Sequence, residues 1–247
     1  MKSFHSPIRS GLFDILPNSP LSASSAGAIR GLGDERGWWC PSLDTINAGT
    51  ITLADLSGNG KVGTLINMEP ESDWTLDDAK YCLSFGGTDE QVTAAEAVSL
   101  NSNVSISLWV KVASANNGAF IKVGGSTGLG IGVGDGTLVS SGLILTLAYE
   151  GVAWLNSGYS FSTNTWTHVT ATKSSANLLE VFINGVSVYS LADVAVSSTG
   201  TLTTFIGGYD PGDPRYATAK LDDIRLFDRV LSGAEITALA STRGYRT

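Results

Sequence analysis

Residues 104–112 read VSISLWVKV, with Val104, Ile106, Leu108, Val110 and Val112 at alternate positions and Ser105, Ser107, Trp109 and Lys111 between them. This period of two predicts a strand with one buried face and one wetter face. LILTLAYE (143–150), WTHVTATK (166–173) and TLTTFIGG (201–208) repeat the pattern more weakly. In LLEVFINGVSVYS, alternation over Leu178–Ile183 runs into Asn184-Gly185, a pair suited to the primed turn of a β-hairpin. Further turns are predicted at Ser57-Gly58 and Asn59-Gly60, where Asp55 can accept backbone N–H groups, and among the glycines of 118–136. One helix is expected, at 233–240. Ser232 and Glu235 have the spacing of a capping box ahead of Ile236 and Leu239. Many short strands and one late helix predict an all-β, antiparallel two-sheet sandwich.

Length and composition agree with one large β-domain. The chain has 247 residues, 43% hydrophobic and 15% charged, with 29 glycines. Residues 1–36 mix Pro, Gly and Ser with isolated apolar side chains, which predicts an arm that docks on its own domain or a neighbour. The body is expected over 37–241, with a tail at 242–247. Pro7, Asp14, Pro17 and Pro20 interrupt any apolar signal core, so a conventional export signal is not expected. No apolar run is long enough for a membrane span.

A formal charge of −8 disfavours a nucleic-acid partner, which needs clustered cations. Cys40 and Cys82 form no CxxC pair, and two buried thiols are expected rather than a disulfide. Neither a phosphate loop nor a dinucleotide fingerprint occurs. His168 has no nucleophile or orienting group beside it in sequence, so a packed or hydrogen-bonded role is expected. Of Trp38 and Trp39, core packing is the default, with a surface platform as the alternative for one of them.

The ordered set DLSGNGKVGTL (55–65), YCLSFGGTDEQV (81–92), SISLWVKV, WTHVTATK, LEVFINGV, FIGG and LDDIRLFDRVLSGAEITAL (221–239) resembles the laminin-G-like, concanavalin A-like jelly-roll family. The resemblance covers nearly all of 37–241. It implies a sandwich of two curved antiparallel sheets and a role in adhesion or carbohydrate binding, sometimes through calcium. Such domains occur in secreted proteins and in phage structural proteins. The glucanases of this architecture carry an E-x-D-x-x-E strand; here Glu180 stands alone and LDDIRLFD has no Glu, so glycoside hydrolysis is disfavoured.

By the same resemblance, Asp55 and one of Asp222 and Asp223 carry over as ligands of a structural calcium, an ion that takes hard oxygen donors. The competing expectation is that Asp55 caps its turn and one of the pair faces solvent. Strict alternation would put Leu221, Asp223, Arg225 and Phe227 on one face and Asp222, Ile224 and Leu226 on the other. A buried carboxylate there needs Arg225 or a cation as partner. Asp228 is expected to serve the turn. For a glycan, the loop GGYDPGDPRYAT offers Tyr209, Asp210, Asp213, Arg215 and Tyr216, and Trp74, Trp154 and Tyr159 are further aromatic candidates. The leading expectation is a non-catalytic, virion-associated structural protein with a lectin-like body, its arm contacting neighbouring subunits. The alternative is a calcium-dependent carbohydrate- or protein-binding module at a cell surface.

Overall fold

A computed structural model describes residues 31–95, 98–124, 128–134, 141–149, 152–194, 196, 203–209, 213 and 215–247. The strands are β1 (Gly37–Trp39), β2 (Thr52–Leu53), β3 (Gly63–Ile66), β4 (Trp74–Asp77), β5 (Lys80–Gly86), β6 (Gln91–Ala95), β7 (Val104–Val112) and β8 (Gly118–Val123). They continue with β9 (Leu129–Gly134), β10 (Ile144–Tyr149), β11 (Val152–Ser160), β12 (Trp166–Lys173), β13 (Leu179–Ile183), β14 (Val186–Leu191), β15 (Thr203–Ile206) and β16 (Thr218–Phe227). The helices are α1 (Pro70–Asp73) and α2 (Gly233–Leu239).

The strands form two antiparallel sheets. Sheet I runs β14-β13-β12-β7-β16-β5-β4, with β1 added on β16; sheet II runs β11-β10-β9-β8-β15-β6-β3-β2. The core lies between them. Ile106, Leu108, Val110, Val169, Leu221 and Ile224 of sheet I face Phe120, Ile121, Val123, Ile131, Val133 and Leu147 of sheet II, with Trp39 in the same cluster. The apolar positions of VSISLWVKV all enter this core. Asn184 and Gly185 both have positive φ and close the β13–β14 hairpin as their residue types predict.

Helix α2 covers the outer face of sheet I. Ser232 and Glu235 complete both halves of the capping box, and Ile236 and Leu239 pack on Phe227 and Leu231. Ser105 Oγ ties this segment down by donating to Arg229 O and accepting from Leu231 N. The alternating face of β7 expected to be wetter is therefore buried at Ser105 and Ser107, and only half-covered at Trp109 and Lys111.

The expected alternation of 221–227 fails at a bulge. Asp222 pairs with Trp109 but Arg225 with Ser107, so two residues of β16 oppose one of β7. Asp223 sits at φ +49°, a conformation aspartate tolerates better than most residues. The extra residue keeps Leu221, Ile224 and Leu226 on the core side. Asp222, Asp223 and Arg225 are thereby placed together beneath the two ends of the described chain.

Candidate functional site

Residues 31–36 and 242–247 meet over the outer face of sheet I, where Thr247 donates to Gly31 O. Arg36 N donates to Leu226 O, and Arg229 bridges Asp34 and Glu235. At the centre is Arg225, fully buried. Its guanidinium gives Nε to Asp223 Oδ1 at 2.8 Å and Nη2 to Asp223 Oδ2 at 3.0 Å. Nη1 reaches Glu35 Oε1 at 3.0 Å and Nη2 also reaches Tyr245 O at 2.5 Å. The guanidinium carbon lies 4.1 Å from the centroid of the Trp38 ring. Burial opposes the charge on Arg225, but Asp223 outweighs it and raises the guanidinium's affinity for its proton.

Trp38 is buried, so it is not a surface platform. It links the two aspartates named as calcium ligands without bringing them to a common ion. Its backbone N–H donates to Asp55 Oδ1 at 3.0 Å and its indole N–H to Asp223 Oδ1 at 2.8 Å. Asp55 also accepts from Ser57 N, Ser57 Oγ and Lys61 N, and so caps its turn. Asp223 accepts additionally from Gly244 N. Calcium needs six to eight oxygen ligands. Here the carboxylates already face N–H and O–H donors, and the cation among them is Arg225. Among the described residues no group of three or more His, Cys, Asp or Glu gathers as a metal site. The donor set does not fit calcium. Asp228 pairs with Arg36 at 2.7 Å.

Asp222 is different. Its Oδ1 accepts from Ser42 N at 3.1 Å and Asp223 N at 2.8 Å. Its Oδ2 stands 3.2 Å from Arg243 Nε, an ion-pair distance without hydrogen-bond alignment. Burial, then the charge of Asp223, pushes its pKa up to about 7. The thiols nearby are free and buried; burial pushes Cys82 up to about 12 and raises Cys40 as well.

Beside this cluster lies a cavity of about 220 Å³ lined by Asp78, Lys80, Trp109, Trp166, Thr242 and Arg243. The sheet places its two indoles: Trp109 is opposite His168, and Trp166 is opposite Lys111 two pairs along, on the same face. Trp109 Nε1 donates to Leu239 O at 3.3 Å and Trp166 Nε1 to Asp77 Oδ1 at 2.9 Å. Asp77 also holds Lys111 at 2.9 Å and Lys220 at 2.6 Å. Burial works against its charge, but these donors prevail and hold its pKa well below the usual carboxylate range. The Arg243 guanidinium lies 4.1 Å from the Trp166 ring and donates to Asp77 O. Lys80 Nζ donates to Arg243 O at 2.5 Å.

Of the loop proposed from sequence, Tyr209 packs on Ala119 of β8 in sheet II, apart from the main core. Tyr209 is buried, with Arg215 Cζ at 3.9 Å and Lys122 Nζ at 5.1 Å from its ring centroid. Asp213 holds Arg215 through Oδ1 at 2.7 Å and Oδ2 at 2.6 Å, and Arg215's hydrogen bonds outweigh burial to lower the Asp213 pKa. Tyr216 is also buried. The structure thus brings Tyr209, Asp213 and Arg215 together as a packed cluster in which two cations lie on the tyrosine ring. Asp210 and the Trp154 side chain lie outside the described residues. Trp74 and Tyr159 pack on the core, Trp74 with its indole N–H on Thr50 O.

His168 is buried, with Nε2 2.8 Å from Ser107 Oγ and Nδ1 without a hydrogen-bond partner. Burial lowers its pKa to about 4, so it is neutral at pH 7. Ser107 was not distinguishable from sequence as its neighbour. No carboxylate orients the ring through Nδ1, and both side chains are closed to solvent. Sequence reasoning also missed Arg243, Lys80 and Thr242. The usable signal was Trp109, an outsized residue on the face of β7 opposite the core.

A family model described as the concanavalin A-like lectin/glucanases superfamily matches residues 85–237. No curated protein matches the chain. Among solved structures, domain 4 of AbnA, a GH43 extracellular arabinanase from Geobacillus stearothermophilus, in complex with arabinotriose, is 20% identical at a TM-score of 0.63. That match covers 84% of this chain and 98% of the domain. The binding domain of Paraclostridial Mosquitocidal Protein 1 is 16% identical at 0.59, over 84% of this chain and 52% of that one. Trypanosoma rangeli sialidase in complex with the inhibitor DANA is 16% identical at 0.57; 83% of this chain is covered but only 32% of the sialidase. At these identities the structural likeness bears on the fold alone.

Proposed function

The chain belongs to the concanavalin A-like lectin/glucanases superfamily, and from that premise we propose that it is a non-catalytic recognition module whose ligand is a saccharide. The observation that carries this reading is the cavity on the outer face of sheet I, where Trp109 and Trp166 stand among Asp78, Lys80, Thr242 and Arg243. Indole faces cover the C–H surface of a sugar ring, and the polar rim can bond its hydroxyls. At about 220 Å³ the space is smaller than the ~300–1,000 Å³ of sites for drug-sized ligands, which suits one ring better than a long chain.

Three acids of this face are already engaged by cations. Asp223 is committed to Arg225, Asp77 to Lys111 and Lys220, and Glu235 to Arg229 and the cap of α2. The solved complex of the AbnA domain with arabinotriose gives the saccharide reading a precedent on this fold. An extracellular or cell-surface setting belongs to the same proposal. This recognition reading replaces the virion-associated structural role as the favoured one: the family match and the fold support recognition, and neither carries an assembly function. Residues 1–30 of the expected docking arm lie outside the described residues. No helix of the described residues is long and apolar enough to cross a membrane.

The test is a titration of intrinsic tryptophan fluorescence with neutral and acidic monosaccharides and arabino-oligosaccharides. The reading expects a saturable change that Trp109→Ala abolishes. Binding that survives Trp109→Ala, or no binding across the panel, contradicts it.

A further inference from the structure

Resting on the saccharide reading, we propose that the sheet I cavity takes a neutral sugar by two adjacent hydroxyls. The ring lies against Trp109, and the hydroxyl pair donates to the carboxylate of Asp78. The first observation is which polar groups around the cavity are already engaged. Trp109 Nε1 donates to Leu239 O and Trp166 Nε1 to Asp77 Oδ1. Lys80 Nζ donates to Arg243 O and to Thr242 Oγ1, and Arg243 is held by Asp222 and by Asp77 O. Asp78 alone among the lining residues is exposed without a hydrogen bond or ion pair to any of the described residues. An ionised carboxylate only accepts, so its complement is a donor. Its two oxygens suit the two O–H groups of a vicinal diol, and such charge-assisted bonds are stronger than neutral ones. A carboxylate on the sugar would instead set like charges together.

The second observation is how Asp78 is carried. Asp77 of β4 pairs with Lys80 of β5, so Asp78 and Ala79 are the whole turn between these strands. Both have positive φ, +51° and +59°, the geometry of a primed two-residue turn. The base of that turn is fixed to the cavity wall. The Asp77 carboxylate holds Trp166 Nε1 together with Lys111 and Lys220, and its carbonyl accepts from Arg243. The backbone bearing Asp78 is thus in place before a ligand arrives, which lowers the ordering cost of binding. The third observation is which indole is left. The Arg243 guanidinium already lies 4.1 Å from the Trp166 ring, whereas Trp109 is half-buried, resting beside His168 with ring centroids 5.3 Å apart. Trp109 is the aromatic surface that remains for the C–H face of a sugar.

The experiment is calorimetric titration of the whole chain with the methyl glycosides of glucose, galactose, mannose and arabinose, followed by the deoxy analogues of whichever binds. Removing either hydroxyl of the pair is expected to weaken binding about tenfold or more, as loss of a hydrogen bond to a charged group does. Removing a hydroxyl outside the pair should cost less. Asp78→Asn should weaken the parent sugar by a similar factor. Asparagine is favoured in a primed turn, so this variant should keep the fold, and an unchanged Tm checks that. Binding of the parent sugar that Asp78→Asn leaves untouched and Trp109→Ala abolishes overturns the diol contact and leaves the saccharide reading intact. So does a deoxy series in which no adjacent pair stands out. No binding of any of these sugars overturns both.

Discussion

Replacing Arg225 by methionine should be among the most damaging single changes to this fold. The substitution keeps much of the side-chain volume but removes both bonds to Asp223, the bond to Glu35 and the bond to Tyr245 O. Two carboxylates then remain buried, with Trp38 and Gly244 as Asp223's residual donors. Breaking one side of a buried ion pair typically costs about 3–5 kcal/mol, because the stranded charge keeps its desolvation penalty. That is a large share of the ~5–15 kcal/mol by which a domain is stable. In a domain of this size about 2–4 °C of Tm is lost per kcal/mol, so a fall of roughly 6–20 °C is expected. Arg225→Lys keeps the charge without the planar fork and should fall between wild type and Arg225→Met. Urea denaturation and calorimetry, each with and without EDTA, provide the assay. Because Arg225 is the cation at this site, chelation should leave the wild-type Tm unchanged. A loss below about 1 kcal/mol in Arg225→Met, or a wild-type Tm that drops with EDTA, would refute the reasoning.

Three further outcomes follow from particular contacts. Asp222 has its pKa raised from 3.8 to about 7, so between those values the folded chain holds a proton that the unfolded chain has released. Its contribution is complete below pH ~4 and falls as pH rises towards 7, by up to about 4 kcal/mol. Asp222→Asn should remove that slope in denaturation curves taken across this range; an unchanged slope would show that Asp222 is not its source. Glu235 behaves oppositely: Arg229 lowers its pKa to about 2, so its stabilisation is present above pH ~4.5 and is lost towards pH 2, and Glu235→Gln should reduce that acid sensitivity. Ser232→Ala removes the cap of α2 and should cost about 0.5–2 kcal/mol by urea denaturation.

The elements were legible where a local rule decides them. The alternation of VSISLWVKV, the Asn184-Gly185 turn and the Ser232–Glu235 box each specify local geometry through nearby residues, and the two-sheet sandwich followed from their sum. The faces of 221–227 were not legible, because one bulged residue at Asp222–Asp223 reverses every later side chain and no local signal marks it. The partner of Asp223 was anticipated as Arg225 or a cation, and the structure supplies Arg225. Glu35, Tyr245 and Arg243 join that region from the two ends of the described chain, Glu35 from 190 residues away and Tyr245 from 20. Such contacts leave no periodic trace. Tyr209 was visible as an aromatic loop residue, but not that Arg215 and Lys122 would lie on its ring.

The measurement that bears most directly on recognition at sheet I is a crystal structure of the chain soaked with a saccharide that binds in solution. The account predicts a single ring against Trp109, its hydroxyls bonded to the polar residues that line the cavity, Asp78, Lys80 and Thr242. A ring bound instead beside Tyr209 and Arg215, with the Trp109 cavity holding only water, would contradict it.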